Sequence, residues 1–318
     1  MSHQNGQTHP ATEGQVRNAR PYLGLGFGVV TCSTAALLIR LAQVDTHSLA
    51  IAAWRLAVAA LILTPIVLLT RRVELRGLSR REWGSALVSG VLLAIHFATW
   101  ISSLAYTSVA ASTVLVSAYA LFVGVASHLL LQERLSREMV VAIVVATAGS
   151  AIIGLGDLGA GTHRLWGDFL ALMGALSGAG YFLIGRRLRG RLSLLAYVCP
   201  VYGTAAVVLV AILLISGLPR VPASPQTWLW ILLMALGPQL LGHSSLNWAL
   251  RYLTATYVTI ATLAEPIAST LLAWWLLGER PPLWTVAGGA LTLVGIAIAS
   301  HVERPGEETG HWVEGAGA

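Results

Sequence analysis

The stretch 106–153, YTSVAASTVLVSAYALFVGVASHLLLQERLSREMVVAIVVATAGSAII, returns 146 residues later as 252–299, YLTATYVTIATLAEPIASTLLAWWLLGERPPLWTVAGGALTLVGIAIA. Eleven of the 48 aligned positions are identical. The weightiest are Glu133/Glu279 and Arg134/Arg280, which follow one apolar run, and Gly149/Gly295, which lie inside the next. A helix needs roughly 20 mostly apolar residues to cross a bilayer. Working outward from the repeat, ten runs qualify as candidates: 21–42, 48–70, 84–105, 108–131, 139–156, 165–185, 192–216, 228–250, 254–277 and 283–300. Five runs fall in each half, and an odd number forces the halves into opposite orientations across the membrane. Such inverted repeats place a substrate site near the bilayer midplane and permit one half to rock against the other.

The predicted fold is therefore an all-α integral membrane protein of ten helices in two inverted five-helix repeats. A cytoplasmic tail over 1–20 precedes the first repeat, 21–156. The second repeat covers 165–301, and a cytoplasmic tail over 302–318 follows.

Composition agrees. Of 318 residues, 56% are hydrophobic and 11% charged, and the mean hydropathy is +0.72. A soluble domain carries about a quarter charged residues, so this surface is expected to face lipid. The polar segment 1–20 has no apolar core and does not read as a cleavable signal peptide. Cys32 and Cys199 both sit in apolar runs, which gives neither a disulfide framework nor metal-ligand spacing. No metal and no cofactor are expected.

The net charge of +6 consists wholly of arginine excess, because the chain has no lysine. With the N-terminus inside, fifteen arginines fall in inner segments, and outside stand Arg164, Arg220 and Arg280. This is the positive-inside bias. It places both termini in the cytoplasm and argues for orientation signals over nucleic-acid binding. Abundant Arg, Ala, Leu and Gly without lysine points to a GC-rich bacterial genome, hence a bacterial cytoplasmic membrane.

Several short motifs stand along the chain, one of them duplicated. They are Leu131-Gln132-Glu133-Arg134-Leu135 and Leu277-Gly278-Glu279-Arg280-Pro281, Leu263-Ala264-Glu265-Pro266, Trp54-Arg55-Leu56, His96 with Trp100, and Asn247-Trp248-Ala249-Leu250-Arg251-Tyr252. Together these resemble the drug/metabolite transporter superfamily, in its ten-helix EamA-type branch, over about residues 21–300. The resemblance implies a carrier for amino acids, other metabolites or toxic amphiphiles, and a cavity lined by runs one, three, four, six, eight and nine. The sequence departs from the family pattern where Tyr119-Ala120 stands in place of a Glu-Pro, and where run one lacks a tryptophan.

Glu265 is an acid near the middle of run nine, where an ionisable group is costly and normally faces a cavity or a partner. Thr262 and Ser269 share its helix face, and Pro266 loosens the helix beside it. It reads as a proton-coupling or substrate-amine site, or as a structural glutamate bonded to a neighbouring helix. Arg55 is expected to form an ion pair with Glu265, with binding of a substrate carboxylate or outward snorkelling as the alternatives. Arg40 is expected to snorkel outward.

Run three presents His96, Thr99, Trp100 and Ser103 on one stripe, and run eight presents Gln239, His243 and Asn247. Polar stripes on lipid-embedded helices turn inward, and a histidine there can exchange a proton near neutral pH. The alternative for both is interhelical hydrogen bonding. Small residues in run four (Thr113, Ser117, Ala120, Gly124) and run six (Gly174, Ser177, Gly178) read as close packing. Tyr119 and Tyr181 are candidate pocket aromatics. The Glu-Arg pairs at 133–134 and 279–280 read as interfacial anchors.

A secondary transporter exporting a small metabolite such as an amino acid by alternating access, with or without proton coupling, is the resulting expectation; a multidrug carrier for cationic amphiphiles is the alternative. An intramembrane enzyme is disfavoured because no His-Glu-x-x-His, acidic metal cluster or Gly-x-Ser-x-Gly elbow occurs. Nor is there a P-loop. A structural protein would need neither a polar midplane nor a repeat. The expected partners are a small-molecule substrate and the lipid bilayer, without nucleic acid, in a monomer or homodimer.

Overall fold

The computed structural model describes residues 19–130, 136–155, 162–278 and 283–302, and the secondary structure among them is helical. The long helices are α1 (Arg20–Ala42), α2 (Ser48–Thr70), α3 (Arg80–Ser103), α4 (Val109–Leu130), α5 (Arg137–Leu155), α6 (His163–Arg189), α7 (Leu194–Ile215), α8 (Pro225–Ala249), α9 (Ala255–Leu277) and α10 (Leu283–Val302). Among the described residues eight, all of these except α5 and α10, are long and apolar enough to cross a membrane. The Glu133-Arg134 and Glu279-Arg280 pairs, and most of both tails, lie outside the described residues.

Hydroxyl caps set the helix starts. Ser108 and Thr254, 146 residues apart, each accept from the backbone N–H three residues on, Ala111 and Tyr257, at 3.1 Å. Ser193 and Ser224 do the same for α7 and α8. Ser79 and Glu82 form a capping box, which starts α3 at Arg80 rather than at the expected 84. The far end of α6 also outruns its expected limit of 185. Arg186 Nη1 donates to Leu250 O at 2.7 Å and Arg189 Nε to Asn247 O at 3.0 Å, tying that end to α8.

Their counterparts 146 residues earlier make the same bonds in the first half. Arg40 Nη1 donates to Leu104 O and Gln43 Nε2 to Ile101 O, both at 2.8 Å. Arg40 thus does not simply snorkel. A carbonyl at the end of α3 is a closer and stronger acceptor than the interface.

Helix pairing follows the same rule. α3 lies along α6 and α1 along α8, while α2 packs on α7, α4 on α9 and α5 on α10. The α5–α10 contact is reciprocal. A Cβ on Gly149 would stand 2.5 Å from Gly288 O and Thr292 N, and one on Gly295 would stand 2.6 Å from the Ala146 backbone nitrogen and 2.8 Å from Ala142 O. The mates 142/288, 146/292 and 149/295 trade places across this contact, so α5 and α10 cross with opposite directions. Without a hydrophobic drive between helices in lipid, such close backbone approach supplies the packing energy. The outward faces carry large apolar side chains, among them Leu69, Ile215, Trp275 and Leu283.

Polar clasps close the α2–α7 layer at its ends. At one end Glu74 accepts from Ser193 N and Oγ, both at 2.7 Å. At the other, Trp54 Nε1 donates to Arg220 O at 2.7 Å. Nearby, Asp45 accepts from Thr227 Oγ1 at 2.6 Å and Thr46 Oγ1 at 2.7 Å. The hydroxyls of Ser224, Thr227 and Thr46 hold the Asp45 carboxyl below the ordinary carboxylate range. A lowered value means that this clasp is fully made above the ordinary range and is lost as pH falls through the lowered value.

Gly149→Ala is expected to destabilise the protein in detergent by about 1–3 kcal/mol, because the methyl meets backbone that cannot step aside. Gly203→Ala, mid-helix where a Cβ meets nothing within 4 Å, should hold or slightly raise the melting temperature, since alanine is the better helix former. Equal melting temperatures for the two variants would contradict the α5–α10 packing described.

Candidate functional site

Four of the long helices interrupt their regular hydrogen bonding along their length, and these irregular stretches face one another. α1 breaks at Thr34, where Ser33 and Thr34 bond back on carbonyls of their own helix: Ser33 Oγ to Val29 O and Thr34 Oγ1 to Thr31 O, both at 2.8 Å. α4 breaks at Ala118, after Thr113 and Ser117 have bonded Val109 O at 2.7 Å and Thr113 O at 2.6 Å. Hydroxyls that bond back in this way compete with the helix ladder and bend it. In α9 the proline at 266 has no N–H to continue the ladder. A 3-10 turn, Thr262–Ala264, fills the gap and a fresh helical segment begins at Glu265. In α8 the same deficit at Pro238 is absorbed as a π-helical stretch, Ala235–His243.

Between these breaks lies a narrow cavity of about 30 Å³, enough for water. α1 contributes Cys32, Ala35 and Ala36, and α3 contributes His96 and Trp100. From α4 come Thr113, Val116, Ser117 and Tyr119; α6 adds Phe182. α8 supplies His243 and Leu246, and α9 supplies Glu265 and Ser269. Glu265 stands in the first turn of its helical segment, where the exposed N–H groups favour a negative charge. Ser269, one turn on, donates to Ser33 O at 2.9 Å and so ties α9 to the break in α1.

The ring groups stack across the wall. His96 and Trp100 lie 5.9 Å apart in a stacked arrangement, and His243 meets His96 edge-on at 6.5 Å. His96 Nδ1 stands 2.8 Å from Gly174 O. A carbonyl can only accept, so Nδ1 carries a proton, and in the neutral ring Nε2 is left as the acceptor. Tyr119 stacks on Phe182 at 5.3 Å and its hydroxyl donates to Thr262 Oγ1 in the 3-10 turn of α9.

The two polar stripes divide. His96, Trp100 and His243 reach the cavity. Thr99 bonds the Ile95 and His96 carbonyls of its own helix, and Ser103 shares a 2.6 Å bond with Ser112. Asn247 Nδ2 donates to Tyr181 OH and, at 2.7 Å, to His243 O, so Asn247 and Tyr181 buttress the wall from behind. Gly174 and Gly178 do serve close packing, since a Cβ on Gly178 would lie 2.8 Å from His96 Nδ1.

Arg55 and Glu265 form no ion pair, contrary to expectation. Arg55 Nε donates to Gln239 Oε1 at 3.1 Å, and the guanidinium lies 4.2 Å from the centroid of the Phe97 ring. The π-helical stretch of α8 puts Gln239 beside Arg55, and an amide oxygen with an aromatic face takes the place of the carboxylate. Cys32 and Phe182 are wall residues that sequence reasoning treated as core or passed over. Their only signal was position, Cys32 at the head of a Cys-Ser-Thr run and Phe182 next to Tyr181.

Residues 21–155 and 165–301 each match the model of the EamA-like transporter family. The chain is 27% identical over 275 residues to the pseudopaline exporter CntI of Pseudomonas aeruginosa, covering 86% of this chain and 93% of that protein. It is also 27% identical over 256 residues to an uncharacterized transporter of Archaeoglobus fulgidus, covering 79% and 87%. A solved crystal structure superposes with a TM-score of 0.72 at 20% identity, covering 89% of this chain and 97% of the other. At that identity the likeness speaks for the fold.

Asn247→Ala should cost about 1–3 kcal/mol by leaving the buried Tyr181 hydroxyl and His243 carbonyl short of a donor. Thermal melting of the purified variant measures it. An unchanged melting temperature would mean that the cavity wall does not depend on this buttress.

Proposed function

The chain belongs to the EamA-like transporter family, and we propose that it works as a secondary carrier exporting a small metabolite such as an amino acid, coupled to protons through Glu265. The observation that carries this reading is the position of Glu265: an acid at a helix restart, on the wall of a cavity shared by helices of both repeats. A carboxylate there binds either a proton or the cationic end of a solute, and competition between the two is what couples their movements. His96, Trp100, His243 and Tyr119 complete the pathway, with Gln239, Asn247, Tyr181 and Arg55 behind them. Export is favoured by the likeness to a relative described as an exporter.

Ten spans in two inverted repeats, with both termini on the cytoplasmic side of a bacterial inner membrane, suit the reciprocal and oppositely directed α5–α10 contact. Alternating access then follows from one repeat rocking against the other about the central breaks. The reading assigns no catalytic step and no cofactor.

The test is transport in proteoliposomes, with a panel of radiolabelled L-amino acids and an imposed pH gradient. The wild type should move a member of the panel faster when protons run the opposite way. Glu265→Gln should retain its melting temperature and exchange solute for solute, while losing the response to the gradient. A mutant with full gradient response removes Glu265 from the coupling role. Movement confined to cationic amphiphiles, with amino acids ignored, would replace the metabolite reading with multidrug efflux.

A further inference from the structure

Arg55 is fully buried, and it heads the large side chains shut away from the surface. Its Nε has Gln239 Oε1 and its face has Phe97, yet Nη1 and Nη2 find no hydrogen-bond partner within the protein. An arginine only donates, so Gln239 must turn its oxygen to Nε, which directs its Nε2 elsewhere. That amide nitrogen is also buried and without a partner, and so is Trp100 Nε1. Tyr202 OH donates to Gln239 O at 3.5 Å and helps to fix that segment. Four of the unpartnered atoms here, Arg55 Nη1 and Nη2, Gln239 Nε2 and Trp100 Nε1, are donors; against them stand the Asn247 Oδ1 acceptor and His243 Nδ1, which donates or accepts according to its tautomer.

A buried guanidinium is tolerated when something negative and hydrogen-bond-accepting meets it, since removing its hydration is costly. Its planar fork fits a carboxylate in two parallel bonds, which a point-like cation cannot imitate. The cavity lies next door. The Phe97 ring that carries Arg55 sits 5.2 Å from His243 and 6.2 Å from Trp100, both wall residues. Resting on the carrier reading above, the geometry points to Arg55 Nη1 and Nη2, together with Gln239 Nε2, as a carboxylate-binding subsite reached past His243. The transported solute therefore carries a carboxylate, and Glu265 on the cavity wall is left for a proton or an ammonium group of that solute.

The experiment is thermal melting of the purified full-length protein against each L-amino acid paired with its primary amide, small mono- and dicarboxylates, and sodium chloride. A ligand of the folded state raises the melting temperature once its concentration passes Kd. At least one carboxylate should bind tighter than its amide by about tenfold to a hundredfold, the worth of a hydrogen-bonded charge. Arg55→Lys should lose most of that preference. Gln239→Glu, nearly isosteric, supplies Arg55 with a built-in carboxylate; it should fold at least as stably as the wild type and lose carboxylate binding.

Equal affinity for acid and amide, or no stabilisation by any carboxylate, overturns the subsite. So does a Gln239→Glu protein that still binds the acid as the wild type does. Stabilisation by chloride alone, abolished in Arg55→Lys, would replace the carboxylate with a halide. Transport of the same solutes is measured separately in proteoliposomes. Binding without any transport would count against the carrier reading alone, whereas transport indifferent to acid or amide would count against the subsite alone.

Discussion

In the hydrocarbon of a membrane, a carbonyl or N–H released from a helix has no water to turn to. This constraint governs where the protein can depart from regular helix, and its site is made of those departures. Several of the releases are matched. Ser33 O, at the break in α1, accepts from Ser269 of α9. Pro238 O and Gln239 O, in the π-helical stretch of α8, receive Cys32 Sγ at 3.7 Å and Tyr202 OH at 3.5 Å. Thr262 Oγ1 donates to Thr259 O at 2.7 Å beside the 3-10 turn. The groups that repair one helix belong in several cases to another, so the breaks stabilise one another and gather at one level. A cavity between them is the geometric result.

The two halves share a scaffold and differ in the side chains that reach the cavity. Tyr119 and Glu265 are repeat mates, each the first residue after a break, one aromatic and one acidic. His96 packs on Gly178, and its mate contact is Cys32 on Gly242, where a Cβ would meet the sulfur at 2.6 Å. Large faces small in both, with the large partner supplied by α3 in one case and α1 in the other. Common side-chain-to-backbone bonds, such as Arg40 Nη1 to Leu104 O and Arg186 Nη1 to Leu250 O, keep the frames alike. A symmetric frame with an asymmetric lining is what a site for one small, oriented solute requires.

The sequence by itself determined the helices. Long apolar runs, sparse charge and arginine clusters between runs have one economical solution in a bilayer, and the internal repeat halves the problem. It also singled out the residues that would be expensive in lipid: Glu265, Arg55 and the His96, Trp100 and His243 stripes. Burial cost is a property of residue type and depth, and both can be read along the chain.

Tertiary structure decided who meets whom. Arg55 and Gln239 are 184 residues apart, and nothing local says that an amide and a phenyl ring, rather than Glu265, would receive the guanidinium. The π-helical stretch in α8 sets that choice by turning Gln239 towards α2. The breaks in α1 and α4 carry no proline and are invisible to helix-breaking rules; at the first Ser269 of α9 takes up Ser33 O, and at the second Tyr119 reaches across to Thr262 of the same α9. Cys32 joins the wall through its bond to Pro238 O, and Phe182 through stacking on Tyr119. Hydrophobicity and periodicity are written residue by residue, whereas compensation of a buried polar group depends on partners that only packing brings within reach.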